Sequence, residues 1–187
     1  MNMRDLTFIT GNQQKADYLA KWLGLPVTHQ KLDLDELQSL DVRIVVEHKV
    51  RQAYALLQKP VLVEDVGLVF TAMGQLPGTL IKWFLEELGE DGLCKLAHSY
   101  PDQTAEAFIL YALFDGTDIR YFEARQMGHI ATEPKGSNGF GWNTVFIPEG
   151  SERTYGEMDD DAFKQWNIRA HAVEKLKQYL TSSANSL

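Results

Sequence analysis

The sequence predicts a mixed α/β fold, a central twisted sheet with helices on both faces, from three patterns. The chain opens with a β-prone run at residues 6–10, a glycine turn and helical spacing over residues 13–23. A long amphipathic helix over residues 42–58 then precedes a continuous apolar run at residues 60–63, which is typical of a buried strand. In the second half, β-prone runs separated by turn residues indicate an antiparallel-rich second lobe. We expect a ligand to bind between the two lobes.

Local signals define the individual elements. Gly24 and Pro26 end the first helix, and a turn at residues 115–117 separates two later strands. The apolar strand before Glu64 and Asp65 is expected to end at these acids, at the sheet edge where open α/β sheets place ligands. The predicted strands span residues 6–10, 27–32, 60–63, 105–114, 119–124, 128–131 and 145–147, and the predicted helices span residues 13–23, 42–58, 80–88, 93–99 and 162–179.

Composition excludes several classes of protein. The chain has 187 residues, 44% hydrophobic and 24% charged, which predicts one globular domain over residues 1–187 rather than a disordered chain. No apolar run is long enough to span a membrane, and residues 1–5 lack a signal-peptide core. The single cysteine, Cys94, fits a reducing compartment. A net charge of −8 argues against nucleic-acid binding. We therefore expect a cytoplasmic protein that binds neither nucleic acid nor membrane.

The first candidate site lies between the first strand and the first helix. Thr10, Gly11, Asn12 and Lys15 combine a helix N-terminus, a glycine that allows close approach and a positive charge, all of which suit a phosphate group. The segment is not a Walker loop, because the second glycine and the Lys-Ser/Thr pair are missing. An ordinary turn with a surface lysine is the alternative.

A second candidate site contains acidic residues. Glu64 and Asp65 follow an apolar run, and oxygen ligands of this kind suit Mg²⁺. Glu36, in an acidic loop, could add a carboxylate. Lys49 and Lys82 are cations in apolar surroundings, where a lysine is more often a surface residue than a ligand. The alternative for the two acids is a solvated strand end.

A third candidate site is the glycine-rich and aromatic segment at residues 136–143. Its glycines, among them Gly141, let the backbone approach a ligand, and Phe140 or Trp142 could stack on a planar base. Asn143 carries an amide that could read the polar edge of that base. The alternative is a tight turn with two core aromatic residues.

Taken together, these motifs and others in the same order resemble the inosine triphosphate pyrophosphatase (Ham1) family over nearly the whole chain. They are Thr-Gly-Asn-x-x-Lys at 10–15, Val-Glu-Asp-x-Gly-Leu at 63–68, Leu-Pro-Gly-x-x-Ile-Lys-Trp-Phe at 76–84, Gly-Phe-Gly-Trp at 139–142 and Phe-Ile-Pro-Glu-Gly at 146–150. The resemblance implies an elongated α/β domain with two lobes and a cleft, which forms a homodimer. It also implies Mg²⁺-dependent hydrolysis of non-standard purine nucleoside triphosphates, such as inosine triphosphate, to the monophosphate and pyrophosphate.

The resemblance also implies roles for individual residues. Glu36 and Asp65 are linked to the metal, Asp65 is the general base and Glu64 is its catalytic neighbour. Lys15 is expected to contact the triphosphate and is counted among the catalytic residues. The other implied substrate contacts are Thr10, Gly11, Asn12, Lys49 and Lys82 at the phosphates, and Phe140, Gly141, Trp142, Asn143 and Arg169.

The sequence departs from the family pattern at four positions. Val66 stands where the family usually has threonine, and Asn143 where it has aspartate. Near the end, Asn167 and Ile168 replace a serine and a histidine, whereas Arg169 matches. We therefore expect a triphosphate pyrophosphatase with altered base preference. The alternative is a nucleotide-binding or regulatory protein with little turnover.

Overall fold

The computed structural model describes residues 6–24 and 26–184, so the prediction for residues 1–5 lies outside the described residues. Contacts divide the chain into two compact units. The first unit comprises Met1–Asp65, Ile109–Ala124 and Arg169–Leu187, and the second comprises Val66–Phe108 and Arg125–Ile168. Within the described residues, no helix is both long enough and apolar enough to cross a membrane.

The described residues form one seven-stranded sheet and five α-helices, which confirms the α/β fold class. The strands are β1 (Thr7–Ile9), β2 (Thr28–Gln30), β3 (Val61–Phe70), β4 (Pro77–Gly78), β5 (Thr104–Phe114), β6 (Ile119–Ile130) and β7 (Phe146–Pro148). The helices are α1 (Gln13–Leu23), α2 (Val42–Leu57), α3 (Ile81–His98), α4 (Asp160–Trp166) and α5 (Ile168–Ala184). The sheet order is β2-β1-β3-β5-β6-β7, with β4 paired to β3.

The start of the first unit follows the sequence signals closely. Strand β1 pairs in parallel with β2 and β3, as a strand–helix–strand opening requires. The N-cap of helix α1 is Asn12, whose side chain accepts a hydrogen bond from the backbone N–H of Lys15. Its C-cap is Gly24, which has the left-handed conformation (φ 75°). Its buried face carries Ala16, Leu19, Trp22 and Leu23. The prediction of a helix over residues 13–23 is confirmed.

The prediction that the third strand ends before Glu64 is wrong. Strand β3 continues through Glu64 and Asp65 to Phe70, so the two acids lie inside the strand. Long-range packing accounts for the extension, because the ring of Phe108 lies directly over Gly67. A Cβ atom at Gly67 would lie 2.1 Å from Cζ of Phe108. The missing side chain therefore lets the strand continue beneath an aromatic ring.

Four other differences from the prediction concern β6, α3 and the two C-terminal helices. The strands expected at 119–124 and 128–131 are one continuous strand, β6, which pairs antiparallel with β7. The helix expected over 162–179 is interrupted at Asn167, whose extended backbone (ψ 128°) separates α4 from α5. Helix α5 also extends to Ala184, beyond the predicted end of the helix at residue 179. The two helices predicted at 80–88 and 93–99 correspond to α3, which is kinked at Gly89 (φ 68°, ψ 178°).

We expect Gly67→Ala to lower the free energy of unfolding by about 1–3 kcal/mol, the usual cost of overpacking. Urea denaturation measures the change. The control is the same substitution in a Phe108→Leu background, where the smaller side chain leaves room for the new methyl group. An equal loss of stability in both backgrounds would contradict the contact between Gly67 and Phe108.

Candidate active site

The turn between β1 and α1 is fixed by its own side chains. The backbone N–H of Asn12 donates to the hydroxyl of Thr10 (3.1 Å), and the Asn12 side chain caps α1 at Lys15 (3.2 Å). The backbone N–H of Thr10 donates to the carbonyl of Gln30 on β2 (3.1 Å). Gly11 is exposed at the tip of the turn. These bonds place Lys15 in the first turn of α1, at the positive end of the helix dipole.

The carboxylate of Glu64 lies between two cations in the first unit. Its Oε1 is 2.8 Å from Nζ of Lys15, and its Oε2 pairs with Nη1 of Arg169. Arg169 Nη1 also lies 3.3 Å from the hydroxyl of Tyr111 on β5. The Glu64 side chain is 2% exposed, whereas that of Lys15 is 23% exposed. The carboxylate is thus shielded from solvent, whereas the lysine beside it is partly exposed.

Charge compensation keeps Glu64 ionised. Burial by itself would raise the pKa of Glu64, but the charges of Arg169 and Lys15 outweigh burial and lower it to about 2. Burial and the neighbouring carboxylate raise the pKa of Tyr111 well above its ordinary value, so its hydroxyl stays neutral. The four side chains therefore carry one net positive charge. A positive group beside a helix N-terminus suits an anion.

Asp65 has different partners from Glu64. Its carboxylate pairs with the Nζ of Lys49 on α2, and both side chains are partly exposed. Successive side chains of a strand point to opposite faces of the sheet, which explains why the neighbouring acids contact different cations. Glu64 and Asp65, although adjacent in the sequence, therefore lie in different ion pairs. Asp65 is the more accessible of the two.

The acidic loop that contains Glu36 is tied to α2. The backbone N–H of Asp35 donates to the side chain of Gln52 (3.1 Å). Gln52 lies three residues after Lys49, so both occupy one side of α2. Glu36 itself is exposed. This arrangement places the loop on the same side of α2 as Lys49, which pairs with Asp65.

The donor set fits a magnesium ion that is completed by substrate. No group of three or more metal-ligating side chains occurs in the part of the chain that the structure describes. Mg²⁺ in nucleotide sites is commonly bound through one or two carboxylates together with phosphate oxygens and water. Asp65 and Glu36 are accessible carboxylates of this kind. Glu64 does not fit, because two cations already surround its buried oxygens.

The glycine-rich loop lies in the second unit, and its aromatic residues differ in position. Trp142 is 7% exposed and packs edge-on against Phe146, with a centroid distance of 5.8 Å. The core alternative therefore describes Trp142, while Phe140 is partly exposed. Asn143 is buried, and its amide lies against Gly139, where a Cβ atom would be 1.9 Å from Nδ2. Gly139 has a φ of 79°, a conformation that glycine adopts without strain.

A downstream segment supports this loop. Ser137 and Asn138 both donate backbone hydrogen bonds to the carbonyl of Gly156 (2.9 Å each). Thr154 and Glu157 form a capping box around the short 3₁₀ helix Tyr155–Glu157. The backbone N–H of Gly156 donates to the carbonyl of Asn143 (2.8 Å). The position of Asn143 is thus set by this segment.

The remaining predicted residues also lie in the second unit. Lys82 is exposed in the first turn of α3, with Nζ 4.9 Å from the ring centroid of Trp83. Asn167 and Ile168 are buried at the break between α4 and α5. Within the first unit, the structure brings together Lys15, Glu64 and Arg169, and separately Lys49 and Asp65. Sequence reasoning missed Tyr111, although a hydroxyl within the otherwise apolar run of β5 was a signal.

Comparison with known proteins identifies the family. A sequence model of the Ham1 family matches residues 6–179. The inosine triphosphate pyrophosphatase of Yarrowia lipolytica is 38% identical over 184 residues, covering 96% of this chain and 97% of that protein. The enzyme of the same name from Schizosaccharomyces pombe is 36% identical over 187 residues, covering 98% of both. The structure of a HAM1 protein from Coxiella burnetii is 22% identical, covers 95% of this chain and 98% of that one, and has a TM-score of 0.79. The chain belongs to the Ham1 family.

Proposed function

We propose that this protein is a nucleoside triphosphate pyrophosphohydrolase that converts a triphosphate and water into a monophosphate and pyrophosphate. The names of the Yarrowia and Schizosaccharomyces relatives support this activity. The observation that carries it is the positive cluster of Lys15, Glu64 and Arg169 at the N-terminus of α1. Glu64 holds two cations in place there, and the side chain of Lys15 remains partly accessible to an anion.

Different residues of the chain have different roles in the reaction. Lys15 and the first turn of α1 bind phosphate oxygens and stabilise the charge on the departing pyrophosphate. Asp65 is the general base that takes the proton of the attacking water, while the Pα–O bond to the β-phosphate breaks. Lys49, paired with Asp65, can contact the phosphates. Mg²⁺, which Asp65 and Glu36 would hold, screens phosphate charge when bound.

The nucleobase is read by residues of the second unit. Phe140 is the partly exposed ring that stacks on the base, whereas Trp142 is a core residue. Asn143 supplies an amide with both a donor and an acceptor where the family pattern has an acceptor-only carboxylate. The side chain of Ile168 supplies no hydrogen bond. We propose removal of non-standard purine nucleotides as the role, with a base preference shifted away from inosine.

A second candidate is a nucleotide-binding or regulatory protein with little turnover. The departures at Val66, Asn143, Asn167 and Ile168 favour it, since all four change polar groups in the family pattern. A pyrophosphate-release assay over a panel of nucleoside triphosphates with Mg²⁺ separates the candidates. Binding without release would favour the second one.

The assembly and location are also proposals. We propose a cytoplasmic homodimer without nucleic-acid or membrane partners, in line with the family resemblance and the net charge of −8. Trp83 and Leu88 on α3 are 44% and 45% exposed. Large apolar side chains of this kind suit a contact with a second copy of the chain.

We expect Asp65→Asn to lower kcat by about 100-fold or more while the thermal unfolding midpoint stays close to that of the wild type. The amide can no longer take a proton from water, and general-base roles are of this size. Steady-state pyrophosphate release measures the loss. Glu174→Gln, a change at an exposed acid on α5, is the control. Unchanged turnover in Asp65→Asn would remove Asp65 from the mechanism.

We expect the wild type to prefer inosine triphosphate over the best other triphosphate by less than about tenfold in kcat/KM. A carboxylate that accepts from the purine N1–H forms a charge-assisted bond, and loss of that bond costs about 1–3 kcal/mol of discrimination. Asn143→Asp should restore part of the preference for inosine. A hundredfold preference of the wild type for inosine triphosphate would show that its base preference is not altered.

We expect light scattering at micromolar concentration to give about twice the chain mass of 21.2 kDa. Trp83→Glu should shift the mass towards one chain, because it puts a charge into an apolar contact. Leu56→Glu is the matched control, since Leu56 is also exposed but lies in the first unit. A wild-type mass of one chain would contradict the dimer.

A further inference from the structure

Lys31 is a cation beside the turn between β1 and α1, outside the motifs that indicate the candidate site. Strands β1 and β2 are parallel and paired up to Ile9 and Gln30, and Lys31 is the first residue after β2. The backbone N–H of Thr10 donates to the carbonyl of Gln30 (3.1 Å), which holds the two strand ends together. Lys31 therefore leaves the sheet at the same edge as the turn, and open α/β sheets bind ligands at this edge.

The side chain of Lys31 lies across Gly11 in that turn. A Cβ atom at Gly11 would be 3.2 Å from Cγ, 3.1 Å from Cδ and 3.5 Å from Cε of Lys31. Three successive carbons of the lysine thus pass over the glycine, so the ammonium group, one bond beyond Cε, also lies close to the turn. The φ angle of Gly11 is outside the positive range that requires glycine. The missing Cβ atom instead leaves room for the lysine.

The ammonium group of Lys31 is accessible to an anionic ligand. Lys31 is exposed, and within residues 6–24 and 26–184 it forms neither an ion pair nor a side-chain hydrogen bond. Lys15 differs, because its Nζ lies 2.8 Å from the buried carboxylate of Glu64. The turn thus has one cation that a carboxylate holds in place and a second cation that is positioned by the packing of its stem.

We propose that Lys31 is a further substrate-binding residue, whose ammonium group contacts phosphate oxygens of the triphosphate at the turn between β1 and α1. The inference rests on the proposed function, since it adds a second cation to the phosphate site that contains Lys15. Two ammonium groups and the backbone N–H groups of the first turn of α1 then bind a ligand with several negative charges. Lys31 contacts the phosphates alone, so its contribution does not depend on the base.

The test is Lys31→Met, which keeps an unbranched stem over Gly11 and removes the charge. We expect affinity for inorganic tripolyphosphate, measured by calorimetry in metal-free buffer, to fall by about tenfold, the effect of one hydrogen bond between charged groups. Because salt screens exposed charges, the loss should become smaller as the sodium chloride concentration is raised. Lys31→Arg keeps the charge and should bind tripolyphosphate more tightly than Lys31→Met does.

Lys177→Met is the matched control, because it removes the same charge from the same unit. Nζ of Lys177 lies 3.9 Å from the position of a Cβ atom at Gly24, the C-cap of α1, and so at the opposite end of this 11-residue helix. The two ends are about 16 Å apart, which exceeds the screening length of about 8 Å at physiological ionic strength. We expect Lys177→Met to bind tripolyphosphate as the wild type does. An equal loss of affinity in both variants would show an effect of net charge alone and would overturn the proposal.

A measurement on the wild type excludes any effect of a substitution on folding. Reductive methylation followed by mass spectrometry gives the rate at which each lysine is modified, with and without saturating tripolyphosphate. We expect the ligand to slow the modification of Lys31 and to leave that of Lys177 unchanged, because an ammonium group bound to phosphate is protected from the reagent. Equal rates for Lys31 with and without ligand would overturn the proposal. Wild-type affinity in Lys31→Met, or a wild type that does not bind tripolyphosphate, would also overturn it.

Turnover separates this inference from the proposed function. We expect kcat/KM to fall in Lys31→Met by the same factor for inosine triphosphate as for any other triphosphate that is hydrolysed. A factor that depends on the base would contradict a contact with the phosphates alone. A wild type that binds tripolyphosphate through Lys31 but releases no pyrophosphate from any triphosphate would contradict the proposed function and support the phosphate contact. Turnover with the same KM in the wild type and in Lys31→Met would support the proposed function and overturn the role of Lys31.

Discussion

The buried ion pairs of Glu64 are the interaction on which the first unit depends. They join β3, α1 and α5, because Lys15 belongs to α1 and Arg169 to α5. Taking three charges out of water is expensive, and apolar side chains of similar volume often give equal or greater stability. The cluster is therefore poorly explained by stability alone. A net positive charge next to a helix N-terminus is, however, what a polyphosphate site requires.

The strand through Glu64 imposes a second constraint, because it separates the two acids. Glu64 turns towards Lys15 and Arg169, whereas Asp65 meets Lys49. A step of one residue along the strand thus leads from Glu64, whose carboxylate pairs with two buried or partly buried cations, to Asp65, whose carboxylate is more accessible to solvent. Of these two acids, only Asp65 is exposed enough to exchange a proton with water or to bind a metal ion. Adjacent acids in the sequence therefore have different chemistry in the fold.

Elements whose boundaries depend on local signals could be predicted from the sequence, and elements that depend on distant packing could not. Helix α1 was predicted residue by residue, since Asn12 and Gly24 act within its own turns. The extension of β3 depends on Gly67 lying under Phe108, which is 41 positions away in the chain. At the site, the motifs indicated Lys15, Glu64 and Asp65, but not which cation faces which acid. Tyr111 was missed because a tyrosine in an apolar strand is normally a core residue.

The positions that depart from the family pattern belong to one of the two units. Val66, Asn143, Asn167 and Ile168 all belong to the second unit, which begins after Asp65 and ends before Arg169. The acids and cations of the phosphate end, by contrast, belong to the first unit. Asn143 is held by a glycine loop and by the backbone of Gly156. The residues that form the ion pairs thus match the family pattern, whereas these four positions do not. For this reason, a rewritten base end is compatible with an intact hydrolase.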